Sequence, residues 1–346
     1  MILSVLRHAI ATTLLTGTLA AAFLSPAIAQ TATDSPAPAC TGESLRDRLS
    51  PEQARRLAET VAATPYAEGL LWEARRGAEV ITLMGTLHVW DPRVAEVTAA
   101  ARPALTGAKL ALFEMTPADE GRLAGAIASD PSLVSLPPGQ RLPALLGPEV
   151  WSDVQDVLQT RGMVPDSLTH LQPWFLANLV AIPSCAMTAM QAGRNGVDHA
   201  LMAEALAAGI PLAALEPWDS VLRIFGTMAL EDQITFLRLS LVAPDLQDAL
   251  FVAMIDGYFA GRVAEVWELN TIALDFIPEL AGDPDLDALL QVEMLDARNH
   301  DWIPVISDAA ATHGQIFVGA GAAHLPGDDG LLSLLAAEGW TITRLY

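Results

Sequence analysis

Near each end of the chain, an almost wholly apolar run rich in β-branched residues ends at a glycine, with a histidine three residues further on. Glu79 to Met84 (EVITLM) leads into Gly85-Thr86-Leu87-His88, and Gln315 to Gly319 (QIFVG) leads into Gly321-Ala322-Ala323-His324. A strand without polar alternation has to be covered on both faces, as in a parallel sheet sandwiched between helices. The elements after each loop repeat as well. A helix (Arg93 to about Leu105; Gly330 to Ala337) leads into another strand (Lys109 to Phe113; Thr341 to Leu345). Strand–loop–helix–strand is the unit from which parallel sheets are built. The pattern therefore predicts an α/β fold with a central, mostly parallel sheet. Two βαβ-like units at the N- and C-terminal ends form it, with a large helical block inserted between them. The two units share their order of elements and little else, so an internal duplication rests on that pattern alone.

Other signals fill in the frame. Ser50-Pro51-Glu52-Gln53 combines an N-cap with proline at the first helical position and opens a helix to about Ala63. Leu70 to Arg76 and Glu79 to Met84 form two strands around an Arg76-Gly77 turn. The middle, about 118–206, is helical with proline-marked breaks. A short strand follows at Ile210 to Leu215, and amphipathic helices run from Ser220 to about Ala297. Leu168 to Met190 is the most apolar later stretch, but Pro173 and Pro183 break it, which suits a buried helix pair better than a membrane span.

The N-terminus is a separate matter. Arg7, an apolar run from Ala9 to Leu24 and the small-x-small site Ala27-Ile28-Ala29 have the layout of a cleaved export signal. The competing reading, a retained anchor, needs about 20 apolar residues, and Pro26 interrupts the run. The expected organisation is a signal peptide over 1–29, a Pro/Ser/Thr/Ala-rich flexible lead-in over 30–43 and one α/β domain over 44–346. The expected location is periplasmic or secreted. No Gly/Ser or charged linker divides the remainder, and 52% hydrophobic residues supply a large core.

The net charge of −22, from 41 acidic and 19 basic residues, sets the surface against phosphate backbones and polybasic membrane contacts. Nucleic acid is therefore not an expected partner, and the mature chain is not expected to be an integral membrane protein. Cys40 and Cys185 both lie beyond the expected cleavage site, and in an oxidising compartment two lone cysteines pair. A Cys40–Cys185 disulfide is expected, with two free thiols as the alternative.

The repeated Gly-x-x-His context singles out His88 and His324. Each glycine is expected to allow a sharp turn past a buried strand, delivering its histidine at the carboxyl end. That edge is where open α/β sheets bind ligands. If the two strands are neighbours, the imidazoles converge. Carboxylates end two other strands: Glu114 after Phe113 and Glu216 after Leu215. A buried acid there must be paired, solvated or metal-bound, and a helix cap or an arginine partner is the ordinary explanation. Asp198 is either a further site acid or the N-cap of a helix beginning at His199. Arg298, beside Asn299, lies where a late helix approaches the last motif, placed to neutralise acids or hold a substrate carboxylate. His170, His199, His300 and His313 lack a shared context and are read as surface or packing residues. Trp90, Trp218 and Trp302 each come two to four residues after a candidate position and are read first as core. Asp328-Asp329-Gly330 is read as a turn rather than a calcium loop.

The segments LMGTLHVWDPRV, LALFEM, GVDHALMAEALAAGIPLAALEP, RNHDWIPVI and FVGAGAAHLPGDDGLLSLLAAEGWTITRL resemble the TraB/GumN family. That family is related to the Tiki metalloproteases of animals, which share paired Gly-x-x-His motifs. The resemblance spans nearly the whole mature chain in order and implies a metal-assisted, peptidase-type site. On it, His88 and His324 carry the paired motifs, Glu114, Asp198 and Glu216 the acidic positions, and Arg298 the late Arg-Asn pair. The family's usual Leu-Glu-Thr is Leu-Glu-Pro here, at Glu216-Pro217. Histidine with carboxylate suits Mn²⁺, Zn²⁺ or Co²⁺ rather than all-oxygen cations. The expected division has His88, His324 and Glu216 holding the ion and Glu114 shuttling the proton, with the acids interchangeable. Expected substrates are peptides or small amides and esters. Two alternatives use the same residues: a metal-free hydrolase with a histidine base oriented by Glu114, and a non-catalytic periplasmic protein that binds a peptide or signal.

Overall fold

Strands β1 (Leu71–Arg76) and β2 (Glu79–Thr86) form an antiparallel hairpin whose turn is carried by Gly77, in the left-handed region at φ 61°. A side chain there would meet the Cβ–carbonyl clash that glycine lacks. The computed structural model describes residues 40–276 and 291–346, so the expected signal peptide and most of the expected lead-in lie outside the described residues. The remaining strands are β3 (Leu110–Phe113), β4 (Leu212–Ala214), β5 (Gln315–Gly321) and β6 (Thr341–Arg344). Together they make a six-stranded sheet in the order β4-β3-β5-β2-β1-β6. Pairing is parallel from β4 through β2, and β1 runs antiparallel to both its neighbours.

The two βαβ-like units interleave. Helix Val94–Gly107 connects β2 to β3, with β5 lying between them in the sheet. Helix Leu331–Ala337 connects β5 to β6, with β2 and β1 between. The consequence is that β2 and β5, which carry the two Gly-x-x-His motifs, become direct neighbours.

Coverage of both faces follows from alternation along the strands. Met84, Ala111, Phe113 and Phe317 join helices Val94–Gly107 and Val197–Ala207 in one apolar layer. Ile81, Leu83, Leu112, Ile316 and Val318 join helices Ala297–His313 and Leu331–Ala337 in the other. A third cluster, with Trp174 stacked on Phe225 at 4.8 Å, forms the core of the helical block. That block is the predicted insertion. It includes helices Pro173–Ala181 and Ser184–Gln191, bent 91° to each other. Among the described residues no single helix is long and apolar enough to cross a membrane. Cys40 and Cys185 form the expected disulfide, joining the start of the described chain to this block.

Local signals match closely where they are strong. Ser50 caps helix Pro51–Ala63 in a full capping box with Gln53. The β4 strand is shorter than the apolar run Ile210 to Leu215 because only Leu212–Ala214 pair with β3 at the sheet edge.

Candidate active site

Four parallel strands end side by side and deliver four of the expected residues. The register pairs Thr86 with Gly321, so the His88 and His324 loops leave the same edge together. Next to β5, β3 ends at Phe113 and presents Glu114; beyond it β4 presents Glu216. Helix Ala297–His313 adds Arg298 and Asn299, and helix Val197–Ala207 adds Asp198 and His199.

The motif glycines work differently from the sequence expectation. Gly85 and Gly321 lie within β2 and β5, and neither adopts positive φ. Gly85 is required by close packing, since a Cβ there would lie 2.8 Å from Leu325 Cδ1 and 3.1 Å from Ala322. Gly321 leaves an open point between the candidate side chains. A Cβ there would be 3.1 Å from Glu114 Oε1, 3.6 Å from His324 Cδ2 and 3.9 Å from His88 Nε2.

The charges are buried and interlocked. Arg298 clamps Glu216 through two bonds, Nη2 to Oε1 at 2.6 Å and Nε to Oε2 at 2.9 Å. Its Nη2 also donates to Glu114 Oε2 at 2.8 Å, while Glu114 Oε1 accepts the Gly321 backbone N–H at 2.7 Å. Trp302 supports the guanidinium 4.7 Å away and packs on the His324 ring at 4.4 Å. Burial would raise the Glu114 pKa, but Arg298 beside it wins and holds it down at about 2. For Arg298 burial pulls downward and the carboxylates of Glu216 and Glu114 reverse it, so its charge is locked on.

Each histidine is anchored through Nδ1. Asn299 donates from Nδ2 to the Asp329 carbonyl at 2.9 Å, which turns its Oδ1 toward His324 Nδ1 at 2.6 Å. The proton therefore sits on His324 Nδ1, leaving Nε2 with its lone pair. Complete burial pushes the His324 pKa down to about 3. His324 Nε2 lies 3.4 Å from Arg298 Nη1 and 4.0 Å from Glu114 Oε1. His88 Nδ1 meets Asp198 Oδ2 at 2.9 Å. Burial opposes protonation of His88, but Asp198 outweighs it and raises the pKa.

Asp198 is not an N-cap. Gly196 occupies that position, and Asp198, in the first turn, faces His88. His199, read from sequence as a surface or packing residue, contacts Asp198 Oδ2 through Nδ1 at 3.0 Å and Glu120 Oε1 through Nε2 at 2.9 Å. Burial opposes its charge, but Asp198 and Glu120 raise its pKa to about 10. A single adjacent carboxylate, Asp198 before His199, was the one signal that could have found it. Of the three tryptophans singled out, only Trp302 reaches the site. Trp90 lies under Arg194 at 4.4 Å, and Trp218 packs against the helical-block core. Asp329 serves the site through its backbone oxygen.

The residue types around Gly321, two histidines and a carboxylate, are those that bind small divalent transition ions. The two imidazoles have Nδ1 fixed by Asp198 and Asn299, and such bonds to Nδ1 are what orient metal-binding histidines. Among the described residues no three His, Cys, Asp or Glu side chains are grouped closely enough to hold a metal ion as they stand. Glu216 and Glu114 each have both oxygens hydrogen-bonded, Glu216 to Arg298, and Glu114 to Arg298 and the Gly321 N–H.

The profile of the TraB/PrgY/gumN family matches residues 70–344, from the start of the hairpin to the last strand. The chain belongs to the TraB/PrgY/gumN family. No curated protein and no solved structure matches it significantly. The matched segment of this TraB/PrgY/gumN protein contains every candidate residue named above except Cys40, including His199 and Glu120.

Proposed function

We propose that this TraB/PrgY/gumN protein is an exported, metal-dependent hydrolase of peptide-type bonds. One observation carries the reading: two imidazoles, each held through Nδ1 by Asp198 or Asn299, meet an ionised Glu114 around Gly321 at the carboxyl edge of a parallel sheet. His88, His324 and Glu114 would hold the ion. With a pKa near 2, Glu114 suits that role better than proton shuttling. Glu216 acts as the counter-charge of Arg298. If a divalent transition ion is held by these residues, the chemistry it would supply is a water acidified toward a pKa of about 7 and a polarised carbonyl. Arg298 would supply the positive charge facing the oxygen on which negative charge develops, while its Nη1 donates to the Met294 carbonyl and toward His324 Nε2. The disulfide suits an oxidising compartment and supports export.

A second reading has its own observation. His88 with Asp198 is a base–orienter pair that needs no metal to accept a proton. Metal analysis by mass spectrometry on the untagged protein, beside a His88→Ala/His324→Ala variant, separates the two. Near-stoichiometric Mn, Zn or Co lost in the variant, with peptide turnover lost in parallel, supports the metallohydrolase. Turnover without metal after reconstitution with each ion points to the dyad. Metal-free protein without turnover on a peptide library leaves a binding protein.

A further inference from the structure

A second cavity adjoins the first across Thr86 and is chemically its opposite. Its walls include Leu87, Met254, Tyr258, Val263, Val266 and Ala322, and Gly321 and His324 of the candidate site also line it. Three elements build it: the strand-end loops and helices Pro244–Phe259 and Val263–Ala273. Gly257 lets those helices approach closely, because a Cβ there would collide with Val266 Cγ2. The Tyr258 hydroxyl donates to the Gly85 carbonyl at 2.8 Å, so its polar end is satisfied. Burial raises its pKa well above the ordinary phenol value, which keeps it neutral. What remains facing the space is carbon.

The first cavity is polar, lined by His88, Glu114, Asp198, Glu216 and Arg298. Thr86 borders both. A substrate placed at the Gly321 edge therefore meets charge on one side and hydrocarbon on the other. We propose that the apolar cavity is the subsite for a small aliphatic side chain, of alanine or valine size, next to the bond held between His88, Glu114 and His324. This rests on the hydrolase reading for its chemistry, but the binding surface stands independently of turnover. Size decides the class. The cavity has about 30 Å³ of room, and a single water needs about 10–15 Å³ on the same measure, so it takes a few carbon atoms and not an aromatic ring. A charged side chain is disfavoured, because the space is faced almost wholly by carbon and its desolvation would go uncompensated.

The test is a methyl NMR titration of the purified protein with N-acetylvalinamide, N-acetylglycinamide, N-acetylphenylalaninamide and N-acetylglutamate amide, following the Met254 methyl. Each buried carbon is worth about fourfold in affinity. The valine compound is expected to shift the signal at a concentration about tenfold or more below that needed by the glycine compound, with the phenylalanine and glutamate compounds weaker than valine. In Met254→Ala, which enlarges the cavity, the order is expected to invert, with phenylalanine ahead of valine; there the response is read from the Val263 and Val266 methyls. Equal responses to valine and glycine, or an unchanged order in Met254→Ala, would overturn the subsite. Peptide turnover is read in parallel. Turnover with no preference for small aliphatic residues removes the subsite and leaves the hydrolase. Selective aliphatic binding without any turnover keeps the subsite and removes the hydrolase.

Discussion

Arg298 is the residue on which the site's charge balance depends. It is buried, and it faces two carboxylates that have no other arginine or lysine within bonding distance among the described residues. Replacing it by methionine keeps most of the packing and strands Glu114 and Glu216. The expected cost is about 3–5 kcal/mol in urea unfolding, the range for one partner removed from a buried pair. A cost below about 1 kcal/mol would mean that water reaches the acids. His199 carries a separate, pH-readable prediction. Its folded pKa, about 10, lies above the ordinary 6.5, so its stabilisation is complete below pH 6.5 and is lost as pH rises through about 10. The stability gap between wild type and His199→Gln is therefore expected to shrink from pH 6 to pH 10. A gap of constant size would show that His199 is neutral. These two residues were unequally legible. Arg298 could be placed from sequence because a basic residue running toward a histidine loop has few buried roles. His199 could not, since a lone histidine on a helix looks the same whether its neighbours are water or Glu120. His88 and His324 stood out only because their context repeats.

At the level of elements, sequence identified the pieces better than their arrangement. Apolar runs such as ITLMG and IFVG announce strands buried on both faces, and that is how β2 and β5 lie. The same uniformity hides which strand is whose neighbour, because a strand with no polar face carries no mark of its partner. The interleaving that brings β5 between β2 and β3 is set by helix packing across the sheet, and no local pattern records it. Contacts between loops are equally silent in sequence. Gly196, the N-cap of helix Val197–Ala207, lies so close to the His88 loop that a Cβ would run into the Leu87 carbonyl, and the Val197 N–H donates to that same carbonyl at 2.8 Å. Gly196→Ala is therefore expected to push the His88 loop off Asp198. Bound metal and turnover should fall about tenfold or more, because a displacement near 1 Å costs that much at a site built on geometry, and the backbone clash should also cost about 1–3 kcal/mol of stability. Unchanged metal content in a folded Gly196→Ala protein would count against the placement of His88 in the site.

Across the whole molecule, one covalent link joins the start of the described chain to the helical block. Cys40 precedes the first described helical turn, Cys185 lies in helix Ser184–Gln191, and the bond between them closes a sequence separation of 145 residues. The lead-in before Cys40 has no periodic apolar pattern with which to anchor itself. Both cysteines lie against the apolar layer formed by helices Val94–Gly107 and Val197–Ala207, so the link fastens the N-terminal edge to the layer that also positions Asp198. Pairing was legible from cysteine number together with the expected export to an oxidising compartment, whereas the face it fastens was not, since sequence spacing carries no geometry. A loop of this length removes substantial freedom from the unfolded chain, and Cys40→Ser/Cys185→Ser is expected to lose about 2–4 kcal/mol of stability. Most of the effect acts on the unfolded state, so the folded variant should keep its Asp198–His88 contact and bind metal at about 25 °C as the oxidised protein does. Denaturant titrations of wild type with and without reductant, beside the double variant, check this. Reduced wild type and variant should coincide below the oxidised protein. If the variant instead loses its metal while still folded, the disulfide fixes the site itself, and the entropic account fails.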